Sequence, residues 1–262
     1  MKCVHCGTEV QSPYCPACGQ RAGVKRLTFR DVFNDVWNSL AGFDGILLST
    51  LKDLTVRPGE VARSYIAGVR VKHFGPIGYF FFMITLLLLW VSLLGMDFAE
   101  LIRDRQEAMA FADPNRKGLA LATQWIGDHI KWFLFCAVPF EAFAARYFFF
   151  RRSGYNFIEH TVPLFYTMGH LFWLTMVVVL VRNLTGTLYS SVTTVLTLAY
   201  FGFLYASLMR YQSPVRAFLK GIGVYVAGQV LFVLVLTVLI ILVVLAVAVF
   251  NPDALESFRS LR

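Results

Sequence analysis

The sequence predicts an all-α protein, a polytopic transmembrane helical bundle with a small four-cysteine knuckle and amphipathic helices at its N-terminal end. Two observations carry this. Of 262 residues, 57% are hydrophobic and 15% charged, against about 25% charged in a soluble domain. The apolar residues also gather into uninterrupted runs of membrane length, which a soluble core does not need. The expected division is a knuckle at 1–20, a linker with amphipathic or interfacial helices at 21–74, a transmembrane domain at 75–250 and a tail at 251–262.

Ahead of the apolar runs, Phe29, Val32, Phe33, Val36, Trp37 and Leu40 recur on one helical face, with Thr28 as a cap and Asp31 in the first turn. Gly42 and Gly45 interrupt it. A second piece carries Ile46, Leu47, Thr50, Leu51 and Leu54 on one side. Pro58 then suits the first residue of a third short helix and Gly68 its stop. None is long enough to cross a bilayer.

Five segments are. They run from about Gly75 to Met96, Lys131 to Phe150, Thr161 to Val181 and Thr187 to Met209, with the fifth inside Gly221 to Phe250. The fifth exceeds the roughly 20 residues that a bilayer demands, so it tilts, breaks near Gly228, protrudes, or folds back as a re-entrant pair. Trp125 and Trp132 stand at one end of the second span, as interfacial anchors do. No internal repeat of the kind found in duplicated transporters is visible.

The net charge of +8 has two ordinary sources, nucleic-acid binding and positive-inside topology. No basic stretch is interleaved with a nucleic-acid reading motif, so topology is the expected one. With the N-terminus inside, Lys and Arg number 16 on the inner segments and 8 on the outer ones. The outer loop also carries Asp97, Glu100, Asp104, Glu107, Asp113 and Asp128. The expectation is a multi-pass protein with its N-terminus in the cytoplasm and its C-terminus outside. No secretory leader pattern opens the sequence, so its thiols are expected to stay reduced.

The N-terminal cysteines form two C-x-x-C-G units, Cys3–Cys6–Gly7 and Cys15–Cys18–Gly19. Each turn brings two thiolates to one side, and two turns complete a tetrahedral site for Zn²⁺. A segment this short folds only with its metal, so binding and folding are one event. Lys2, Arg21, Lys25 and Arg26 are placed to offset the net negative charge of a four-thiolate zinc site. A C-x-x-C redox pair and a rubredoxin-like iron site are the rivals; no βαβ pattern surrounds either pair to support the first. His5 is expected to be exposed and not a ligand, and Cys136 a small packing residue.

The C-x-x-C-G opening followed by Tyr14-Cys15-Pro16-Ala17-Cys18-Gly19-Gln20 resembles an uncharacterised family of bacterial multi-pass membrane proteins with an N-terminal zinc ribbon. The likeness continues through Leu27-Thr28-Phe29-Arg30, Arg57-Pro58-Gly59, Tyr65 to Arg70 and Phe74-Gly75-Pro76, and returns at Glu159-His160. In that family further histidines follow the Glu-His pair, where this chain has Phe165, Tyr166 and Thr167 before His170. The resemblance implies architecture and carries no activity with it.

Ionisable groups inside spans are functional candidates because burial in hydrocarbon is costly. Glu141 and His170 should lie at similar depth on consecutive antiparallel helices, and are expected to pair there. Glu159, His160 and His170 could extend them along one helix face as a polar cluster. Arg63, Arg70, Lys72 and His73, just before the first span, are expected to meet anionic lipid head groups. The resulting expectation is a membrane scaffold or regulatory protein and not a catalyst. Its zinc ribbon would dock a protein partner at the cytoplasmic face, or the membrane surface. A transporter or lipid-handling protein using Glu141 and His170 is the first alternative. An intramembrane metalloenzyme using Glu159, His160 and His170 is the second, although no H-E-x-x-H motif is present.

Overall fold

The structure is a computed structural model and describes residues 1–23, 27–28, 45–96, 125, 127–185 and 189–250. The amphipathic stripe from Phe29 to Leu40, the outer acidic loop from 97 to 124 and the tail lie outside these residues.

Among the described residues the architecture is helical. Two short helices, α1 (Ile46–Val56) and α2 (Pro58–Ile66), precede five longer ones. These are α3 (Pro76–Leu93), α4 (Ile130–Ala144), α5 (Phe157–Thr185), α6 (Tyr189–Leu208) and α7 (Pro214–Phe250). A π-helical turn, Ala145–Phe149, extends α4. All five are long and apolar enough to cross a membrane, so the chain is a multi-pass membrane helical bundle.

Local chemistry sets the short elements. Pro58 opens α2, where its missing N–H costs nothing. Gly68, at φ 101°, ends it, and Val69 N–H returns to the Ser64 carbonyl at 2.9 Å. That pairing closes the orphan carbonyls of a helix end with a residue in the left-handed region.

α5 is the hub. Its most apolar window is 61% buried within the protein, whereas that of α7 is 11% buried. α5 packs on α3, α4 and α6, and α7 lies along α6 and α4. Phe80 of α3 sits fully buried at the centre, edge-on to Phe165 at 5.7 Å and 5.5 Å from Phe172. α7 is one continuous helix of 37 residues, which removes the re-entrant pair. Its length of roughly 55 Å exceeds a hydrocarbon core of about 30 Å. Gly228 does not break it. A Cβ there would meet Glu141 Cγ at 2.5 Å, so this glycine lets α7 lie directly against α4. Cys136, expected as a packing residue, is exposed on the bundle surface instead.

α1 and α2 form a cap across one end of the bundle. Tyr200 of α6 donates to the Leu54 carbonyl at 3.0 Å, and Tyr166 of α5 to the Phe74 carbonyl at 2.7 Å. Phe74 N–H donates to Thr50 Oγ1 at 2.9 Å. Arg63 of α2 donates to the Ser207 and Leu208 carbonyls that end α6. A guanidinium on those terminal carbonyls satisfies orphan acceptors and complements the helix dipole.

Candidate metal centre and the polar network beneath it

The two cysteine units are copies of one turn, offset by twelve residues. Gly7 N–H returns to the Cys3 carbonyl at 3.0 Å, and Gly19 N–H to the Cys15 carbonyl at 2.9 Å. Cys3 N–H then pairs with the Thr8 carbonyl, and Cys15 N–H with that of Gln20, each at 2.8 Å. Gly7 and Gly19 hold φ of 76° and 70°, which only a residue without a Cβ takes freely. Isolated antiparallel bridges, Lys2 with Glu9 and Tyr14 with Arg21, close each unit.

This geometry turns four sulfurs toward one point, and all four lie within 4.8 Å of one another. Cys3 and Cys18 Sγ are 3.6 Å apart, and Cys6 and Cys15 Sγ 3.5 Å. A zinc–sulfur bond of about 2.3 Å implies tetrahedral edges of about 3.8 Å, so the four thiols are already near the spacing that a metal ion needs. Their protonation makes the same point. The Thr8 hydroxyl, the Thr8 N–H and neighbouring thiols bring Cys6 down to about 6. At Cys18 the Gln20 N–H pulls down, but burial and the three other thiols push it up to about 12. Full deprotonation of such a set requires a cation at its centre. Among the described residues, this is the one group of three or more Cys, His, Asp or Glu whose ligand atoms converge in this way.

The module is fastened to the cap by the residue that follows its second glycine. Gln20 is 1% exposed. Its Nε2 donates to the Gly68 carbonyl at 2.8 Å, and its Oε1 accepts from Arg70 N–H at 3.0 Å. Both ends of one amide are thus spent on the loop after α2, in the manner of a strand pairing. Nothing in the sequence distinguishes Gln20 from an exposed glutamine except its place after the knuckle.

The intramembrane residues expected to form one cluster separate into three. Glu141 is fully buried between α4 and α7, where Gln229 Nε2 donates to its Oε1 at 3.1 Å. His170 lies beneath the cap, with Thr55 Oγ1 3.3 Å from Nε2 and the Tyr79 hydroxyl 3.3 Å from Nδ1. Its ring stacks on Tyr200 at 5.0 Å. The expected Glu141–His170 bond is therefore corrected: Glu141 is bonded to Gln229 on α7, whereas His170 is bonded to Thr55 and Tyr79. Depth follows from sequence position, whereas direction follows from how α7 and the cap dock.

Glu159 and His160 have local roles. Asn156 N–H donates to Glu159 Oε2, and Glu159 N–H to Asn156 Oδ1, both at 2.7 Å. This is a reciprocal cap at the start of α5, legible in retrospect as Asn-x-x-Glu. His160 Nε2 sits 3.2 Å from Ser153 Oγ. The spacing that suggested a shared track therefore puts Glu159 at a helix start and His170 under the cap.

Of the basic residues expected at head groups, Lys72 is exposed, while Arg63 is committed to the end of α6. His73 is buried, 3.0 Å from Asp53 Oδ2. A carboxylate only accepts, so Nε2 carries the proton in that bond. Burial holds the His73 imidazole below its ordinary value despite the Asp53 carboxylate beside it. Burial would raise Asp53, but His73 and Arg57 together bring its carboxyl down.

A family model described as a protein of unknown function (DUF3667) matches residues 44–88. No curated protein and no solved structure matches the chain. The matched stretch contains α1, α2 and most of α3. It supplies Thr55 and Tyr79, which bond His170, Asp53 and His73, and the loop that Gln20 grips. The similarity thus falls on the cap and its seat.

Proposed function

We propose that this chain is a membrane scaffold or regulatory protein whose N-terminal module is a structural zinc ribbon. In this reading the ribbon holds the cap in place and offers its outer face to a protein partner in the bacterial cytoplasm. The observation that carries it is the Gln20 clamp, which follows the second knuckle directly and ties the metal centre to the loop after α2. Four sulfurs without an open coordination position suit a structural zinc and not a catalytic one. The module also keeps Met1, Val4 and Tyr14 exposed, outside its small core of Cys3, Val10 and Cys15. The excess of Lys and Arg on inner segments supports the cytoplasmic placement.

A photo-crosslinking amino acid at Tyr14, in cells, tests the docking role. The expected result is a discrete protein adduct that disappears when Cys15 and Cys18 are serine. Adducts to lipid alone, or none, would contradict it.

A second reading, transport or lipid handling, rests on Glu141. Its Oε2 has no hydrogen-bond partner among the described residues, although Glu141 is buried inside a span. Such a group is a functional candidate in its own right.

A further inference from the structure

At the end of the bundle that carries the cap, a cavity of about 570 Å³ opens between the last turn of α4 and the start of α7. Arg151, Arg152, Arg216 and Lys220 line it. None of these four has a carboxylate within ion-pair distance among the described residues, whereas Arg57 and Arg210 elsewhere at this end are paired with Asp53 and Glu60. The site is built, not merely charged. Arg146 donates to the Arg151 carbonyl at 2.9 Å, which fixes the turn bearing Arg151 and Arg152. Lys220 Nζ donates to Gln212 Oε1 at 2.9 Å and lies 5.7 Å from the Phe150 ring. Ser213 and Arg216 place the positive end of the α7 dipole at the same cavity.

Guanidinium forks with an ammonium and a helix N-terminus are the chemistry that recognises phosphate. Two features say which phosphate. Phe148 and Phe149 form an apolar wall, and Phe148 is 57% exposed. On α7, beside the lining residues Arg216 and Lys220, Val215, Leu219, Val226 and Val230 are exposed apolar side chains at near-helical spacing. A ligand with its phosphate among the arginines could therefore lay an acyl chain along this helix. We propose that the cavity binds the phosphate head group of an anionic phospholipid in the leaflet on the cap side. Its lining residues are distinct from Arg63, Arg70, Lys72 and His73, of which Arg63 is bonded to the end of α6 and His73 to Asp53.

The test uses the full chain in detergent, with binding of dioleoylphosphatidylglycerol, dioleoylphosphatidylcholine and inorganic phosphate read by native mass spectrometry and competition. The expected result is preferential retention of phosphatidylglycerol that inorganic phosphate does not displace. Each basic side chain at a membrane surface contributes a factor of about five, so Arg151→Gln/Arg152→Gln should weaken retention on the order of 25-fold. Arg151→Lys/Arg152→Lys should weaken it less. Arg216→Gln, on the other helix, serves as an independent variant should the first fail to fold. Equal retention of the two lipids by the wild type would overturn the proposal. So would undiminished phosphatidylglycerol binding in a folded Arg→Gln variant. Displacement by inorganic phosphate would assign the cavity to a soluble ligand and overturn the lipid assignment.

Discussion

Serine at both Cys15 and Cys18 should abolish metal binding and unfold the N-terminal module while leaving the membrane bundle intact. The buried apolar residues of the module are Cys3, Val10 and Cys15, with Cys18 and Ala22 packed against them. A core of that size supplies far less than the ordering entropy of twenty residues requires. Structural zinc in small modules contributes an apparent 10–16 kcal/mol, roughly the whole of their folding free energy. Removing two of four ligands therefore leaves nothing to hold the two turns. Gln20 would then lose its fixed position, and its two hydrogen bonds to the cap, at about 1 kcal/mol each, would go with it. Elemental analysis of purified protein checks the first step, with one zinc per chain in the wild type and none in the variant. A full complement of metal in the variant would place the ion elsewhere.

The second large effect is expected from Gly59→Val. A Cβ at Gly59 would fall inside contact distance of the Leu208 nitrogen, the Ser207 carbonyl carbon and Ser207 Oγ. Two of these are backbone atoms on the last turn of α6 and cannot turn aside as a side chain can. α2 must therefore lift away from α6. That movement breaks the bond from Gly59 N–H to Ser207 Oγ at 2.9 Å and withdraws Arg63 from the Leu208 carbonyl, also at 2.9 Å. Overpacking and lost bonds together should cost about 3 kcal/mol. Glu60→Ala is the comparison, because it removes only the exposed ion pairs to Arg57 and Arg210 and should cost less than about 1 kcal/mol. Unfolding in detergent, followed by tryptophan fluorescence, separates the two. Equal stability of the two variants would mean that α2 is not locked on α6.

The first of these effects was written into the cysteine spacing, whereas the second depends on how α2 docks on α6. The spans were legible because a run of apolar residues long enough for a bilayer has few other uses, and the observed boundaries differ from the expected ones mainly at the ends. The cysteine geometry was legible because C-x-x-C-G encodes a turn, and two such turns make a tetrahedron. Pro58 and Gly68 announced α2 through the one thing each backbone can do that others cannot. Partnership across helices was another matter. Sequence position alone puts Glu141 and His170 at similar depth, yet Glu141 meets Gln229 on α7 and His170 meets Thr55 and Tyr79. Which way a buried polar group faces depends on the docking of helices far away in sequence. Glu159 illustrates a different miss, since Asn156-Phe157-Ile158-Glu159 carries a capping pattern that its membrane setting obscured. Gln20 had no signal of its own, because a clamp exists only once both of its sides are in place.

The central claim is that the metal centre holds the cap through Gln20, and amide hydrogen exchange at Arg70 tests it most directly. This N–H is bonded to Gln20 Oε1 at 3.0 Å, and the metal ligands lie nowhere near it in sequence. Exchange would be compared between zinc-loaded protein, protein stripped by a chelator, and zinc-loaded Gln20→Ala. Arg70 should exchange faster in both the stripped protein and the variant, with α5 unchanged in all three. Slow exchange at Arg70 in the stripped protein, equal to that of the zinc-loaded form, would mean that the cap stands without the ribbon and would contradict the account.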